Sequence, residues 1–267
     1  MAKRTRQDLP CGNALRRNAG SMSAFPQLKK PPIIEAQLNF LADTSAGWKV
    51  YGSAGRVAEI FPTHVTVQPL QQFLLHFGNP PKVAVDVETG VAGFFLRKAG
   101  DPVVFQVRRD GFAFSRLEPY GGWEEFVAAA VSNWERYRAF MNAGELHGIN
   151  LRYINRIQIP RRDYVANRDG FFTIAPRVPP GTGWGFMGVA HQSTLVTEDQ
   201  RFLIGVGFST EQPTLDQEIA GFTLDINVSP RPITGFSEIE KLLVEMRDLK
   251  NQAFFSIATE AAWKQYA

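Results

Sequence analysis

The segment at residues 149–159 constrains the fold of this chain more than any other. Its apolar residues alternate with polar ones: Ile149, Leu151, Tyr153, Ile157 and Ile159 share one side, and Asn150, Arg152, Ile154, Arg156 and Gln158 share the other. A period of two residues is typical of a β-strand with one buried and one accessible face. Antiparallel sheets accommodate such strands because one of their faces can remain in water. The segment therefore predicts an antiparallel sheet with one polar, accessible face.

The first half of the chain predicts a meander followed by a helix. Two alternating runs at residues 103–109 and 112–117 flank Asp110-Gly111, a dipeptide that favours a two-residue hairpin turn. With the apolar run before them they predict a three-stranded meander over residues 91–117. Apolar residues at helical spacing predict a helix over residues 123–142.

The remainder of this half is less regular. Alternation predicts a strand over residues 32–41, and the Gly- and Ser-rich residues 44–62 predict a loop. Residues 65–77 are compatible with a strand or a short helix.

The second half repeats this order of elements. After the strand at residues 149–159, residues 160–184 predict a loop, and three strands follow at residues 186–196, 201–208 and 222–228. A closing helix is predicted over residues 237–265, where Ser237 and Glu240 form a capping box. Its apolar stripe comprises Phe236, Ile239, Leu243, Met246, Ala253, Phe254 and Ile257. We therefore predict an α+β fold of two similar halves, each strand, loop, three antiparallel strands and long helix, with the sheets joined and both helices packed on one face.

Charge is distributed unevenly over three predicted regions. These are a basic, disordered tail at residues 1–31, an N-terminal half at 32–145 and a C-terminal half at 146–267. Residues 1–30 carry a net charge of +6, whereas the whole chain carries +3, so the body is slightly acidic. A nucleic-acid interface on the body is therefore not expected, and such binding would use residues 1–21. The sequence after Met22 resembles a natural start, so Met22 is the expected first residue.

Signatures of catalysis, cofactor binding and metal binding are not found. The single cysteine, Cys11, lies in the tail, and the four histidines are dispersed. The glycines at 181–185 and 205–207 do not precede a helix, as a phosphate-binding turn would require. Asp86 and Glu88 share one side of a possible strand, but a solvated edge explains them more simply than a metal site. We expect no cofactor and no metal.

The polar side of the predicted sheet is the candidate interaction surface. Arg108 and Arg109 lie at the predicted hairpin tip, where their guanidinium groups could bind carboxylates or phosphates. Arg152 and Arg156 are four residues apart on one strand, so they share a face. The candidate residues are Arg108, Arg109, Asn150, Arg152, Asn155, Arg156, Asp225 and Asn227. The alternative is that Arg152 and Arg156 pair with acidic residues on neighbouring strands, and that the hairpin tip with Arg108 and Arg109 is only solvated.

Four segments resemble a known family. They are PPIIEA at residues 31–36, VRRDGFAFSRLEPY at 107–120 followed by Trp123, LRYINRI at 151–157 and RDLKNQAFF at 247–255. In this order they look like a sporadically distributed bacterial family of proteins of about 250 residues, labelled by number alone. The resemblance covers residues 24–265 and implies a bacterial, cytoplasmic protein. It supplies no activity or site residue.

Two functions from different classes remain open. The first is a non-catalytic component that binds a protein partner, encoded by a neighbouring gene of a defence or toxin–antitoxin locus, or a second copy of the chain. The second is a small-ligand-binding protein or enzyme with a pocket between sheet and helices, lined by aromatic residues and by Arg152, Tyr153, His191 or Asp225. Nucleic-acid binding through the tail comes third. Membrane binding is not expected, because no apolar run reaches the length of a membrane span.

Overall fold

The protein folds around one nine-stranded antiparallel sheet with helices packed against it, as expected for the α+β class. The computed structural model describes residues 25–64, 66–77, 85–167, 170–174, 181–184, 188–211, 218–231 and 239–267. The strands are β1 (Ile33–Ala42), β2 (Thr66–Phe77), β3 (Val85–Arg97), β4 (Val103–Arg108), β5 (Gly111–Leu117), β6 (Leu146–Pro160), β7 (Ala190–Val196), β8 (Phe202–Thr210) and β9 (Ile219–Pro230). The helices are α1 (Ser45–Tyr51), α2 (Ala54–Ile60), α3 (Trp123–Met141), α4 (Arg161–Ala166), α5 (Ile239–Ile257) and α6 (Glu260–Trp263).

The strand that opens each half of the chain lies at the centre of the sheet. The spatial order is β2-β3-β4-β5-β1-β6-β9-β8-β7, so β1 pairs with β6. On either side the other strands of that half follow in reverse order. The first half has four strands besides β1, not the three predicted, because β2 adds one at the edge.

The apolar sides of the central strands form the core beneath α3 and α5. Phe40 of β1 stacks on Trp134 of α3 with 5.0 Å between ring centroids. Tyr153 of β6 contacts Phe126 of α3, and the ammonium group of Lys250 on α5 lies above the same tyrosine ring. Burying each large apolar side chain contributes about 1.5–3 kcal/mol to folding.

The loop predicted at residues 44–62 was wrong, because this segment contains α1 and α2. Its Gly and Ser content indicated a loop, but Val57, Ile60 and Phe61 recur at helical spacing and are buried. Phe61 stacks on Phe105 at 3.9 Å, so packing against the sheet stabilises the short helices. The undecided segment at 65–77 forms β2.

The β4–β5 turn lies one residue earlier than predicted. Arg108 pairs with Gly111, so Arg109 and Asp110 are the two loop residues. Gly111 has a φ of +146°, and a Cβ atom there would lie 2.0 Å from the carbonyl oxygen of Phe40. Position 111 requires glycine because the backbone of β1 leaves no room for a side chain there. The turn itself does not impose this requirement, since Gly111 is not one of its two loop residues.

The second half differs from the prediction at its ends and in its loop. The segment predicted as loop at 160–184 contains α4, and β7 begins at Ala190. The closing helix ends at Ile257, and α6 and a 3₁₀ turn, Lys264–Tyr266, follow. Ser237, the predicted cap, lies outside the described residues. Among the residues described, no helix is long and apolar enough to cross a membrane.

Residues 25–31, which belong to the predicted tail, contact the C-terminal half of the chain. Phe25 stacks on Phe255 of α5 with 5.5 Å between ring centroids. The backbone N–H of Lys30 donates a hydrogen bond to the carbonyl oxygen of Tyr266 at 3.1 Å. Residues 25–31 therefore pack on the C-terminal half, while residues 1–24 lie outside the described part of the chain.

Candidate functional site

A groove of about 970 Å³ crosses the polar face of the sheet. We call it the polar groove. Side chains or backbone from β1, β4, β6, β7, β8 and β9 line it. Five predicted interaction residues lie there: Arg108, Asn150, Arg152, Asp225 and Asn227. The period-2 alternation of β6 and β9 accounts for this convergence, because strand register aligns Arg152 with Asn227 and Ile154 with Asp225.

Two glycines leave room for the polar groove on β8. Gly205 is in register with Asn227, and Gly207 is in register with Asp225. A Cβ atom at either position would make only ordinary contacts of 3.4–3.5 Å with the side chain opposite. The backbone would therefore tolerate a side chain, and the glycines keep this part of the groove empty.

Side-chain amides on β1 begin a chain of hydrogen bonds across the groove. The Nε2 atom of Gln37 donates to Oγ of Ser115 at 2.9 Å, and Nδ2 of Asn39 donates to Oε1 of Gln37 at 2.8 Å. Nη1 of Arg108 donates to Oδ1 of Asn39 at 3.0 Å. These buried polar groups satisfy one another, so the central strands tolerate a polar row without a desolvation penalty.

The same chain continues on β6 and β9. Nδ2 of Asn39 also lies 3.4 Å from Oδ1 of Asn150. Nδ2 of Asn150 donates to Oγ of Ser229 at 2.7 Å and to Oδ1 of Asn227. The groove thus presents neutral amides, which combine donors and acceptors, across the three adjacent strands β1, β6 and β9.

Arg152 and Asp225 form a bidentate ion pair between β6 and β9. The Nε–Oδ1 distance is 2.9 Å and the Nη2–Oδ2 distance is 2.6 Å. The hydrogen bonds that Arg152 donates to the Asp225 carboxylate raise the pKa of Arg152 above its usual value. Arg156 makes a comparable pair with Glu211. The alternative interpretation of these arginines, pairing with neighbouring acids, is what the structure shows.

The other predicted residues lie outside the polar groove. Arg109 is exposed in the β4–β5 turn, and Arg156 is exposed near the end of β6. Asn155 is on the opposite face and only 3% exposed, where its Nδ2 donates to the carbonyl oxygen of Leu224 at 3.1 Å. The prediction grouped Asn155 with the residues of the polar face. Asn155 is two residues from Tyr153, so its side chain points to the same face as Tyr153 and not to the face of Arg152.

Strand β7 forms one edge of the sheet beside the groove. Its seven residues, AHQSTLV, carry no Asp, Glu, Lys or Arg, and six of them are exposed. Leu195 and Val196 are 52% and 51% exposed. Within the described ranges no strand pairs with its outer edge. Protein sheets usually protect such an edge with charge, proline or a bulge, because unpaired backbone groups recruit other strands.

A second cavity, of about 380 Å³, lies on the face of the sheet to which Tyr153 projects. We call it the aromatic cleft. Its walls are residues 26–33, the start of α3, Tyr153 and Asn155 of β6, and the α5 side chains Arg247, Lys250, Asn251, Phe254 and Phe255. All four segments that carry the family resemblance contribute lining residues to it.

Hydrogen-bonded tyrosines lie at the base of the aromatic cleft. The hydroxyl groups of Tyr120 and Tyr153 are 2.8 Å apart. Burial raises the pKa of Tyr120 to about 12 and raises the pKa of Tyr153 well above its usual value. Both phenols are therefore neutral at physiological pH.

Lys250 is a half-buried lysine on the core-facing side of α5. Its ammonium group lies 4.3 Å from the ring centroid of Tyr153. Burial and the neighbouring positive charge of Arg247 lower the pKa of Lys250 to about 7. The guanidinium of Arg247 lies over the ring of Trp123 at 5.3 Å. The sequence contained a signal for this cluster, since Lys250 interrupts the apolar stripe midway between Met246 and Phe254.

A third, smaller cavity of about 170 Å³ lies beside His64. The imidazole is 7% exposed, and Nε2 has no hydrogen-bond partner among the described atoms. Burial lowers the pKa of His64 below its usual value. The described residues contain no group of three or more His, Cys, Asp or Glu side chains that could hold a metal ion.

Comparisons with known proteins place the chain in no family. No protein-family model matches it, and no curated protein matches it. A solved structure described as that of DynU16, from the dynemicin biosynthetic locus, aligns at 12% sequence identity with a TM-score of 0.18. The alignment covers 88% of this chain and 99% of that one.

Proposed function

We propose that this protein is a non-catalytic binding protein that holds an extended segment of a partner protein along β7 and the polar groove. The observation that carries the proposal is the exposed, uncharged edge strand β7 beside a groove lined with side-chain amides. An extended segment can add to a sheet edge through main-chain hydrogen bonds, while pockets beside the edge select its side chains.

The chemistry of the groove supports a polypeptide partner. Gln37, Asn39, Asn150 and Asn227 offer both donors and acceptors, which match the mixed polarity of peptide groups. The charged side chains of Arg152 and Asp225 already neutralise each other, so the groove has little attraction for a highly charged polymer. A neutral or mildly polar segment is the partner that this surface suits.

We also propose that the fold is an internal duplication, with α3 and α5 on the same face of the joined sheet. The reversed strand order on the two sides of the β1–β6 pair supports this interpretation. The contacts of Tyr153 with both Phe126 and Lys250 support it too. In this arrangement the helices cover one face only, and the other face is left for a partner.

A displayed library of random peptides, selected against the protein, tests the proposed function. Selected peptides should bind the wild-type protein and lose affinity for Leu195→Lys, because lysine at a sheet edge opposes strand addition. Val244→Lys is the matched control, since Val244 is 48% exposed on α5, compared with 52% for Leu195. If both variants lose the same peptide affinity, or if Leu195→Lys keeps the affinity of the wild type, β7 is excluded as the binding edge.

The second candidate function, small-ligand binding between sheet and helices, is favoured by one specific observation. The aromatic cleft combines a volume of about 380 Å³ with a lysine whose pKa is lowered to about 7. Perturbed ionisable groups in cavities are typical of functional sites.

A further inference from the structure

The aromatic cleft carries an excess of positive charge. The charged side chains that line it are Lys29 from the N-terminal segment, Glu124 from α3, and Arg247 and Lys250 from α5. The single carboxylate among them, Glu124, is 83% exposed and lies 3.8 Å from Arg247. Three cations thus face one carboxylate that remains in water.

Lys250 is the half-buried cation of the cleft, and it has no carboxylate partner among the described residues. Among the residues that the structure describes, no carboxylate lies within 4.0 Å of its ammonium group, and its close contact is the face of the Tyr153 ring. A cation–π contact compensates only part of the hydration that a buried ammonium group loses. The protein retains this cation at a helix position otherwise suited to an apolar side chain.

Arg247 adds directional donors to the same cleft. It precedes Lys250 by one helical turn, so the two side chains lie on neighbouring positions of one face of α5. Its guanidinium carbon lies 5.3 Å from the ring centroid of Trp123, and its carboxylate neighbour, the exposed Glu124, is 3.8 Å away, so the ion pair between them is weak. Arginine and lysine together provide charge-assisted hydrogen bonds of the kind that hold carboxylates and phosphates.

We propose that the aromatic cleft binds a small organic oxyanion, a carboxylate or phosphate with an apolar or aromatic body, through Lys250 and Arg247. The apolar walls formed by Ile33, Trp123 and Phe254 accommodate the body of the ligand. The volume of about 380 Å³ lies within the range of small-molecule sites. This site is separate from the polar groove, because Tyr153 and Arg152 project to opposite faces of the sheet.

The lowered pKa of Lys250 agrees with this assignment and provides a readout. The other ionisable groups facing it are Tyr120, Tyr153, Glu124, Lys29 and Arg247. A bound anion favours the charged form of Lys250 and therefore raises its pKa. The amine is then less nucleophilic and less accessible near neutral pH.

Competitive lysine labelling tests the proposal on the full chain. The protein is treated with limiting acetic anhydride at pH 7.5 in sodium chloride, in sodium phosphate or in sodium benzoate at equal ionic strength. Mass spectrometry then gives the extent of modification of each lysine. We expect phosphate or benzoate to reduce modification of Lys250 several-fold, while the exposed Lys98 is modified equally in all three salts.

The outcomes distinguish the source of the oxyanion. Protection by benzoate but not phosphate identifies a carboxylate site, and the reverse identifies a phosphate site. Equal modification of Lys250 in all three salts overturns the proposal.

Calorimetric titration with the protecting anion provides a second test. Lys250→Met and, independently, Arg247→Gln should each weaken binding about tenfold, the effect of removing one charge-assisted hydrogen bond. Lys98→Gln is the charge-matched control and should bind as the wild type does. Unchanged binding in both cleft variants would contradict the assignment. Leu195→Lys should leave anion binding intact, so failure of the peptide proposal and failure of this one give different results.

Discussion

Arg152 and Tyr153 are neighbours on β6, but they line two different cavities on opposite faces of the sheet. Arg152 pairs with Asp225 in the polar groove, and Tyr153 lies beneath Lys250 in the aromatic cleft. Because a strand alternates its side chains, one central strand contributes to both sites. The two sites can therefore be tested separately by substitutions that are adjacent in sequence.

Replacing Asp225 separates the roles of the ion pair in stability and in binding. Asp225→Ala should lower the free energy of unfolding by no more than about 1 kcal/mol, because both partners are partly exposed. It also leaves Arg152 available to groove ligands. Urea denaturation measures the change, and the double variant Arg152→Met/Asp225→Ala is its control. A loss above about 3 kcal/mol would indicate a buried, uncompensated charge instead.

The polar face illustrates what the sequence could predict. Alternation in β6 and β9 predicted Asn150, Arg152, Asp225 and Asn227 on one face of the sheet, and the polar groove lies on that face, because strand periodicity determines which face a side chain occupies. Pairing partners such as Glu211 for Arg156 could not be predicted, since they depend on the register between strands distant in sequence.

Filling the groove should abolish peptide binding without unfolding the protein. Gly205→Val places a side chain where a Cβ atom meets only Asn227 at 3.5 Å. Valine favours strands, so the free energy of unfolding should change by less than about 1 kcal/mol. Thermal denaturation verifies the fold, and fluorescence anisotropy measures binding of a selected peptide. Full affinity in a folded Gly205→Val protein would show that the peptide lies elsewhere.

Gly111 should tolerate no side chain. Gly111→Ala creates a Cβ 2.0 Å from the carbonyl oxygen of Phe40, at a φ of +146° that L-residues rarely adopt. We expect a loss of more than about 2 kcal/mol in the free energy of unfolding. Gly100→Ala is the control, because its φ is also positive but no atom lies within 4 Å of the added Cβ. Equal losses in both would mean that backbone conformation, not the approach of β1, determines the effect.

The β4–β5 turn shows where local sequence rules fail. Asp110-Gly111 is a favoured turn dipeptide, yet the turn consists of Arg109 and Asp110, since Gly111 is held in register with Leu41 of β1. Likewise, α1 and α2 were predicted as loop because their stability comes from packing, of Trp48 on Phe94 and of Phe61 on Phe105, and not from helix propensity. The alternative prediction of a pocket with aromatic walls and Tyr153 describes part of the aromatic cleft, but Arg152, His191 and Asp225, which were expected in the same pocket, line the polar groove. Lys250 was not predicted as a site residue, although it interrupts the apolar stripe of α5.

Removing the charge of Lys250 should stabilise the protein at neutral pH. Its pKa is lowered from 10.5 to about 7, so between these values the unfolded chain binds more protons at this position than the folded protein does. The free energy of unfolding of the wild type should therefore rise with pH from 7 towards 9.5, by at most about 1.4 kcal/mol per pH unit from this group. Below pH 7 Lys250 is charged in the folded protein, and the free-energy cost of holding that charge in the cleft is then greatest.

Lys250→Met removes this pH dependence. It should exceed the wild type in thermal midpoint at pH 7, and the difference should decrease by pH 9.5. Measurements stay below pH 10, where ionisation of tyrosines in the unfolded chain opposes folding, since burial raises the pKa of Tyr120 to about 12 in the folded protein. A lower midpoint of Lys250→Met at pH 7 would mean that the ammonium group is fully compensated in the folded state.

Amide hydrogen exchange of β7, with and without a selected peptide, tests the central claim most directly. In the free protein, the β7 amides that bond to β8 should be protected, and the alternate ones, which point away from the sheet, should exchange rapidly. A peptide that adds as a strand should protect those alternate amides along Ala190–Val196. If the peptide binds but these amides exchange as fast as before, the partner does not pair with β7, and the proposed function is wrong.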